Sequence, residues 1–129
     1  MALIDRPDLL DPSTFAVPEL SEENSHVLIE FCNRCRWIHR ASWVQTELFA
    51  TFAPPVLSCV TLIPRTSDET AGRWRIWLRH GGSTTLIWDR KVEGGFGEMK
   101  EIKQRVRDIV QPELHLGHSD KKTVEEENK

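Results

Sequence analysis

An apolar run, Val27-Leu28-Ile29-Glu30-Phe31, leads straight into Cys32-Asn33-Arg34-Cys35, and a long helical pattern follows. No other feature constrains the chain as tightly. A Cys-x-x-Cys placed between a strand and a helix can close a small disulfide ring, and a helix start favours a thiolate there. Such a pair is oxidised and reduced reversibly. The chain therefore reads first as a thiol redox protein.

The surrounding pattern supplies the rest of a small α/β domain. Over residues 35–53, Ile38, Ala41, Val44 or Gln45, Leu48 and Phe52 recur at three- and four-residue steps, a helical stripe that Pro54-Pro55 stops. Val56 to Ile63 is a second strand rich in β-branched residues, with Pro64 ending it and a polar loop from Arg65 to Gly72. Arg73 to Arg79 comes close to strict alternation, which puts Trp74, Ile76 and Leu78 on the core face. Gly81-Gly82 turns the chain into Thr84 to Asp89, completing a hairpin. After the loop Glu93 to Gly97, Met99, Ile102, Val106 and Ile109 or Val110 form one side of a last helix, leaving Lys100, Lys103, Arg107 and Asp108 in solvent; Pro112 closes it. A strand–helix–strand unit crosses over right-handed and makes its strands parallel neighbours. The expected fold is α/β and thioredoxin-like, β-α-β-β-β-α, with a four-stranded mixed sheet of order 2-1-3-4 and helices on one face.

A length of 129 residues suits one domain with one modest core. Charge divides the chain. Residues 1–24 carry one Arg against six acids and three prolines, and read as a flexible acidic lead-in. Residues 25–112 carry thirteen Lys and Arg against nine acids and form the domain; residues 113–129 read as a polar tail with three Lys against five acids. That field is too weak to make nucleic acid the expected partner. Three cysteines are an odd count, unlike a secreted disulfide scaffold. The Met1-Ala2-Leu3-Ile4-Asp5 start shows no secretory signal, and no apolar run reaches bilayer length. A soluble protein of a reducing compartment, the cytoplasm, is expected, with no membrane association.

Several of these residues together resemble one family. Phe31 to Phe52, Leu86 to Lys91, Glu93-Gly94-Gly95-Phe96 and Lys100 to Asp108 closely resemble the Rdx family: the selenoprotein W, T and H-like proteins and their cysteine-containing microbial relatives. The resemblance covers roughly residues 25–120 and includes Leu116 to Asp120. It implies a thioredoxin-like redox fold and a glutathione- or thioredoxin-linked activity with glutathione as a co-substrate; a disulfide-bearing protein or glutathione is the expected partner, and no bound cofactor is expected. Selenoprotein members carry selenocysteine at the position of Cys35, so this chain resembles a sulfur version that reacts more slowly. Ala71-Gly72-Arg73 stands where thioredoxin places a substrate-clamping proline, so clamping of that kind is not expected.

Exchange with a disulfide needs an attacking thiolate and a resolving thiol within its reach. Cys32 is expected to attack, by its position in thioredoxins, and Cys35 to resolve; the family's selenocysteine position favours the reverse. Arg34, Arg36 and the helix dipole would favour the thiolate. His39, four residues after Cys35, would share its side of the helix and could move a proton, or sit half exposed. Trp37 and Phe96 could line the rim of the dithiol or pack in the core, and Trp43 is expected to pack. Cys59 reads as a small buried hydrophobe. A zinc site joining the two thiols to His115 and His118 is a competing reading with unsuitable spacing, and no metal is expected. Gly94 to Gly97 before a helix suggests an anion cradle but lacks any nucleotide fingerprint. Arg73, Arg75, Trp77 and Arg79 share a face left open by the helices, which could stack bases or dock a protein; pairing with Glu30 across the strands is the preferred account. Beside the thiol–disulfide oxidoreductase stands a second class, a redox-responsive interaction module without turnover.

Overall fold

A computed structural model describes residues 9–19 and 24–117. Four strands form one sheet: β1 (Ser25–Cys32), β2 (Leu57–Arg65), β3 (Trp74–His80) and β4 (Ser83–Asp89). Three helices join them: α1 (Ile38–Thr51), α2 (Arg90–Glu93) and α3 (Met99–Val110). The sheet order is β2-β1-β3-β4, with β1 parallel to β2 and antiparallel to β3. The expected topology is the observed one.

Alternation along β1 and β3 builds the core. Val27, Ile29 and Phe31 pair with Leu78, Ile76 and Trp74, and all six are buried beneath Ala41, Val44 and Leu48 of α1 and Ile102 and Val106 of α3. Gly81 and Gly82, at φ 59° and 79°, make the two-residue turn between His80 and Ser83, a conformation that suits residues without a Cβ. Lys103 and Arg107 leave the solvent positions expected for them. Lys103 pairs with Glu47 of α1 at 3.0 Å, and Arg107 donates to the Leu114 carbonyl at 2.9 Å. Leu114 and Leu116 pack on the core, so the tail is partly attached at its start.

Four further expectations change. The first helix begins at Ile38, not at residue 35, and residues 33–37 form turns. Pro64 lies inside β2, which an edge strand tolerates because one row of its amides pairs with nothing. The β1–β2 register shifts after Ser25, pairing His26 with Cys59 and leaving Ser58 over; this turns Cys59 onto the open face, half exposed. Trp43 is exposed on α1 and packs in no core. Of the acidic lead-in, residues 9–19 hold a 3₁₀ turn, Pro12–Thr14, capped by Asp11; residues 1–8 and 20–23 lie outside the described residues.

Candidate functional site

β1 ends at Cys32, and the backbone there is fixed from both sides. The Cys32 amide donates to the Arg73 carbonyl at 2.8 Å and the Asn33 amide to the Arg65 carbonyl at 2.9 Å. The chain then turns instead of entering a helix. Arg36 has φ 60°, a left-handed conformation costing a non-glycine residue about 1–2 kcal/mol, and Trp37 caps α1 without a side-chain hydrogen bond. Within this turn Cys32 and Cys35 are joined by a disulfide, their Cα atoms 5.3 Å apart. Cys35 is exposed, whereas Cys32 is 1% exposed. Cys32, the residue expected to attack, is thus the buried member of the pair. The Cys35 amide points at Cys32 Sγ from 3.3 Å, placing a donor where a Cys32 thiolate would carry its charge.

The other expected site residues divide. Trp37 and Phe96 meet edge to face, ring centroids 4.9 Å apart, and Phe96 meets Trp74 the same way at 5.5 Å. Both are partly buried and pack against the core. Arg34 reaches Asp68 at 2.6 Å across exposed surface, an interaction worth little in water. Arg36 and His39 are exposed. Because Cys35 precedes α1, the helical spacing that would have put His39 on its side does not apply.

The Phe96 loop is held by its neighbours. Trp88 Nε1 donates to the Gly95 carbonyl at 2.8 Å, and Arg105 lies 4.5 Å over the Trp88 ring. Gly97, at φ 78°, touches that ring so closely that a Cβ would fall 2.5 Å from Trp88 Cζ2. The amides of Gly94 and Gly95 both donate to the Arg90 carbonyl, at 2.9 and 3.0 Å, so they make no anion cradle. Asp89 sets the entry to α2: its carboxylate accepts from the Lys91 and Val92 amides, both at 2.9 Å, and from Arg75 at 2.6 Å. Burial opposes the Asp89 charge, but Arg75 and the two amides outweigh it and hold the carboxyl below its usual range.

On the open face, Glu30 ties the Arg-Trp-Arg strand down. Trp77 Nε1 donates to its Oε2 at 2.7 Å; Arg65 Nη2 and Arg73 Nη1 reach Oε1 at 2.7 and 3.2 Å. Burial raises the Glu30 pKa, the hydrogen bonds from Trp77, Arg65 and Arg73 lower it, and the net shift is downward. The two arginines held by this carboxylate are the residues whose carbonyls hold Cys32 and Asn33. Glu30 thus braces the base of the disulfide turn through the sheet. At the far end of that face, His26 Nε2 lies 2.8 Å from Thr61 Oγ1; burial and then Arg79 hold its pKa down.

Residues not singled out in the sequence join this aromatic cluster. The Arg40 guanidinium lies 4.2 Å from the Phe96 centroid, and Arg90 lies 5.1 Å from Trp37 and 5.3 Å from Phe96. Arg90 at a strand end had no sequence signal pointing to this place; Arg40, one turn after Trp37, had a weak one. The histidines of the zinc reading do not join the thiols: His115 Nδ1 accepts from the Gly117 amide at 3.0 Å, and His118 lies outside the described residues. Among the described residues, no three His, Cys, Asp or Glu side chains are grouped to hold a metal, and no helix is long and apolar enough to cross a membrane.

A mixed sheet of order 2-1-3-4 with a Cys-x-x-Cys disulfide at the end of its first strand defines a thioredoxin-like protein of the dithiol class. More narrowly, the chain belongs to the Rdx family, whose profile matches residues 26–108. Among solved structures it is similar to a selenoprotein W-related protein from Vibrio cholerae, with 38% identity, a TM-score of 0.57, and 68% of this chain and 99% of that one covered. It is likewise similar to a protein of Bordetella parapertussis, at 40% identity and TM-score 0.55, covering 66% of this chain and 96% of that one. No curated protein matches the chain. Family and disulfide together fit a redox role.

Proposed function

We propose that the protein exchanges its Cys32–Cys35 disulfide with other thiols and disulfides, in a reducing compartment such as the cytoplasm, with glutathione or a thioredoxin-type dithiol as reductant. The observation carrying this reading is the asymmetry of the pair: one residue exposed, the other buried with an amide directed at its sulfur. That asymmetry supports Cys35, not Cys32, as the attacking group. In the reduced protein the Cys35 thiolate attacks one sulfur of a substrate disulfide, forming a mixed disulfide and releasing the other half as a thiolate. The Cys32 thiolate then attacks Cys35 Sγ, the protein disulfide forms, and the second half leaves as a thiolate. Two electrons pass to the substrate. In the return step the external thiolate attacks the exposed Cys35 sulfur and Cys32 departs as a thiolate beside the Cys35 amide; a second thiolate then releases the mixed disulfide.

Single Cys→Ser variants test the assignment. The Cys32→Ser protein, treated with glutathione disulfide or 2-hydroxyethyl disulfide, should accumulate a stable mixed disulfide at Cys35 visible by intact mass. The Cys35→Ser protein should react at least about tenfold more slowly, since its remaining thiol is buried. The opposite order would return the attack to Cys32. Absence of exchange in the wild-type chain would leave the interaction module as the better description.

A further inference from the structure

We infer that Arg40 and Arg90 form a carboxylate-selecting subsite beside the disulfide, so that the substrate carries an acidic group next to its reacting sulfur. This rests on the exchange reaction proposed above and adds to it the chemical class of the substrate. Arg40 comes from α1 and Arg90 from the start of α2, yet both guanidinium groups converge on the ring of Phe96, and Arg90 also covers Trp37. A guanidinium stacked on an aromatic face keeps its full charge and its N–H edge, the geometry that receives a planar carboxylate through two parallel hydrogen bonds.

Neutralisation distinguishes these two arginines from most others in the domain. Arg34, Arg65, Arg73, Arg75, Arg105 and Arg107 each have a carboxylate partner. Among the described residues Arg40 and Arg90 have none. Arg90 Nε is buried without a hydrogen-bond acceptor, and so is Trp74 Nε1, which belongs to a ring touching the same Phe96. Buried donors normally find an acceptor. Here two lie around one ring in a cluster that supplies no carboxylate of its own.

The cluster is close to the sulfur chemistry. Trp37 follows the exposed Cys35 by two residues, and Trp74 follows Arg73, whose carbonyl holds the Cys32 amide. Arg36 lies in the turn itself, and the Arg40–Arg90 pair is tied to it through the Trp37 and Phe96 rings. Coverage of the aromatic rings by the long arginine stems is the competing explanation, and it predicts no preference for charge. The shared ligand chemistry is a carboxylate, from a small dicarboxylate disulfide or from an Asp or Glu beside a protein cysteine.

The full-length protein, reduced, is mixed with three small symmetrical disulfides: 3,3′-dithiodipropionate (anionic), 2-hydroxyethyl disulfide (neutral) and cystamine (cationic). Each rate is divided by the rate of the same disulfide with free 2-mercaptoethanol, which removes intrinsic reactivity. The normalised preference for the anionic over the neutral disulfide should reach about tenfold at low salt and fall as salt rises. In Arg40→Met/Arg90→Met, which keeps apolar bulk over the rings, that ratio should collapse towards one; Arg90→Lys should keep part of it. A ratio near one in the wild-type chain while the neutral disulfide is turned over would overturn the subsite and leave the exchange reading intact. No turnover of any of the three would overturn both. If the double variant does not fold, the salt dependence and Arg90→Lys decide by the same ratio. Peptide disulfides flanked by Asp or by Lys separate the sources: an Asp preference beyond that of the small dianion assigns a protein segment, and equality assigns a small molecule.

Discussion

Removing the Glu30 carboxylate should weaken the domain more than any other single change on the open face. Its side chain is 8% exposed and receives Arg65, Arg73 and Trp77, whose charges or dipole it alone satisfies there. Breaking a buried ion pair by deleting one partner costs about 3–5 kcal/mol, because the other charge remains buried. Arg65 is 39% exposed and Arg73 24%, so both guanidinium groups can recover some hydration. Discounting for that, Glu30→Ala should lose about 2–3 kcal/mol, with Trp77 Nε1 contributing as a half-buried donor left without its acceptor. With a urea slope of ~1 kcal/mol/M for a domain this small, the unfolding midpoint should fall by about 2–3 M. Adding Arg73→Met to Glu30→Ala should cost nothing further, since it removes one of the two orphaned cations, whereas Arg73→Met alone should be destabilising. The pH dependence gives an independent check. Glu30 has a lowered pKa in the folded state, so its contribution is fully present above the unfolded value of about 4.3 and is lost as pH falls towards the folded value. The gap in stability between wild type and Glu30→Gln should therefore be widest at neutral pH and close as pH drops below about 4. A loss under about 1 kcal/mol for Glu30→Ala, or a gap unchanged from pH 7 to pH 3, would refute the bracing role.

Gly97→Ala should destabilise by about 2 kcal/mol or more, since the new methyl would press on the Trp88 ring at a left-handed φ; thermal unfolding reads this directly, and the Trp88 fluorescence should shift with it. A double-mutant cycle on Arg34 and Asp68 should return a coupling below about 0.5 kcal/mol, because both ends are exposed. His26 has a lowered pKa in the folded state, so the unfolded chain binds its proton first and stability should decline as pH falls below about 6.5; His26→Gln should flatten that part of the curve in a pH series of urea melts.

Most of the architecture was legible because the elements are regular. Alternation in Arg73 to Arg79 and the Gly81-Gly82 turn specify the hairpin locally, and the handedness of a crossover specifies the parallel pair. What was not legible turned on single residues. No Ser, Thr, Asp or Asn stands immediately before Ile38 to mark a helix start, and a charged residue such as Arg36 carries no signal of a positive φ, so the break there left no trace in the pattern. A one-residue bulge at Ser58 was enough to move Cys59 to the opposite face. Asp89 ends β4 and caps α2 with the same carboxylate, and one residue serving two elements hides the boundary between them.

The same contrast holds within the site. Glu30 was conspicuous: an acid in the middle of an apolar strand must find donors, and Arg65 on one side with Arg73 and Trp77 on the other supply them. The aromatic rim was less so, because its members come from residues 37, 40, 74, 90 and 96 and share no period. The displaced helix start matters most for the chemistry. Had α1 begun at residue 35, both thiols would have flanked its first turn and the helix dipole would have acted on them together. Instead the left-handed Arg36 separates the turn from the helix, so the pair is distinguished by exposure and by one amide directed at Cys32. In the proposed exchange, nucleophile and leaving group are then set by access and hydrogen bonding, Cys35 being the exposed sulfur and Cys32 the buried one beside an amide.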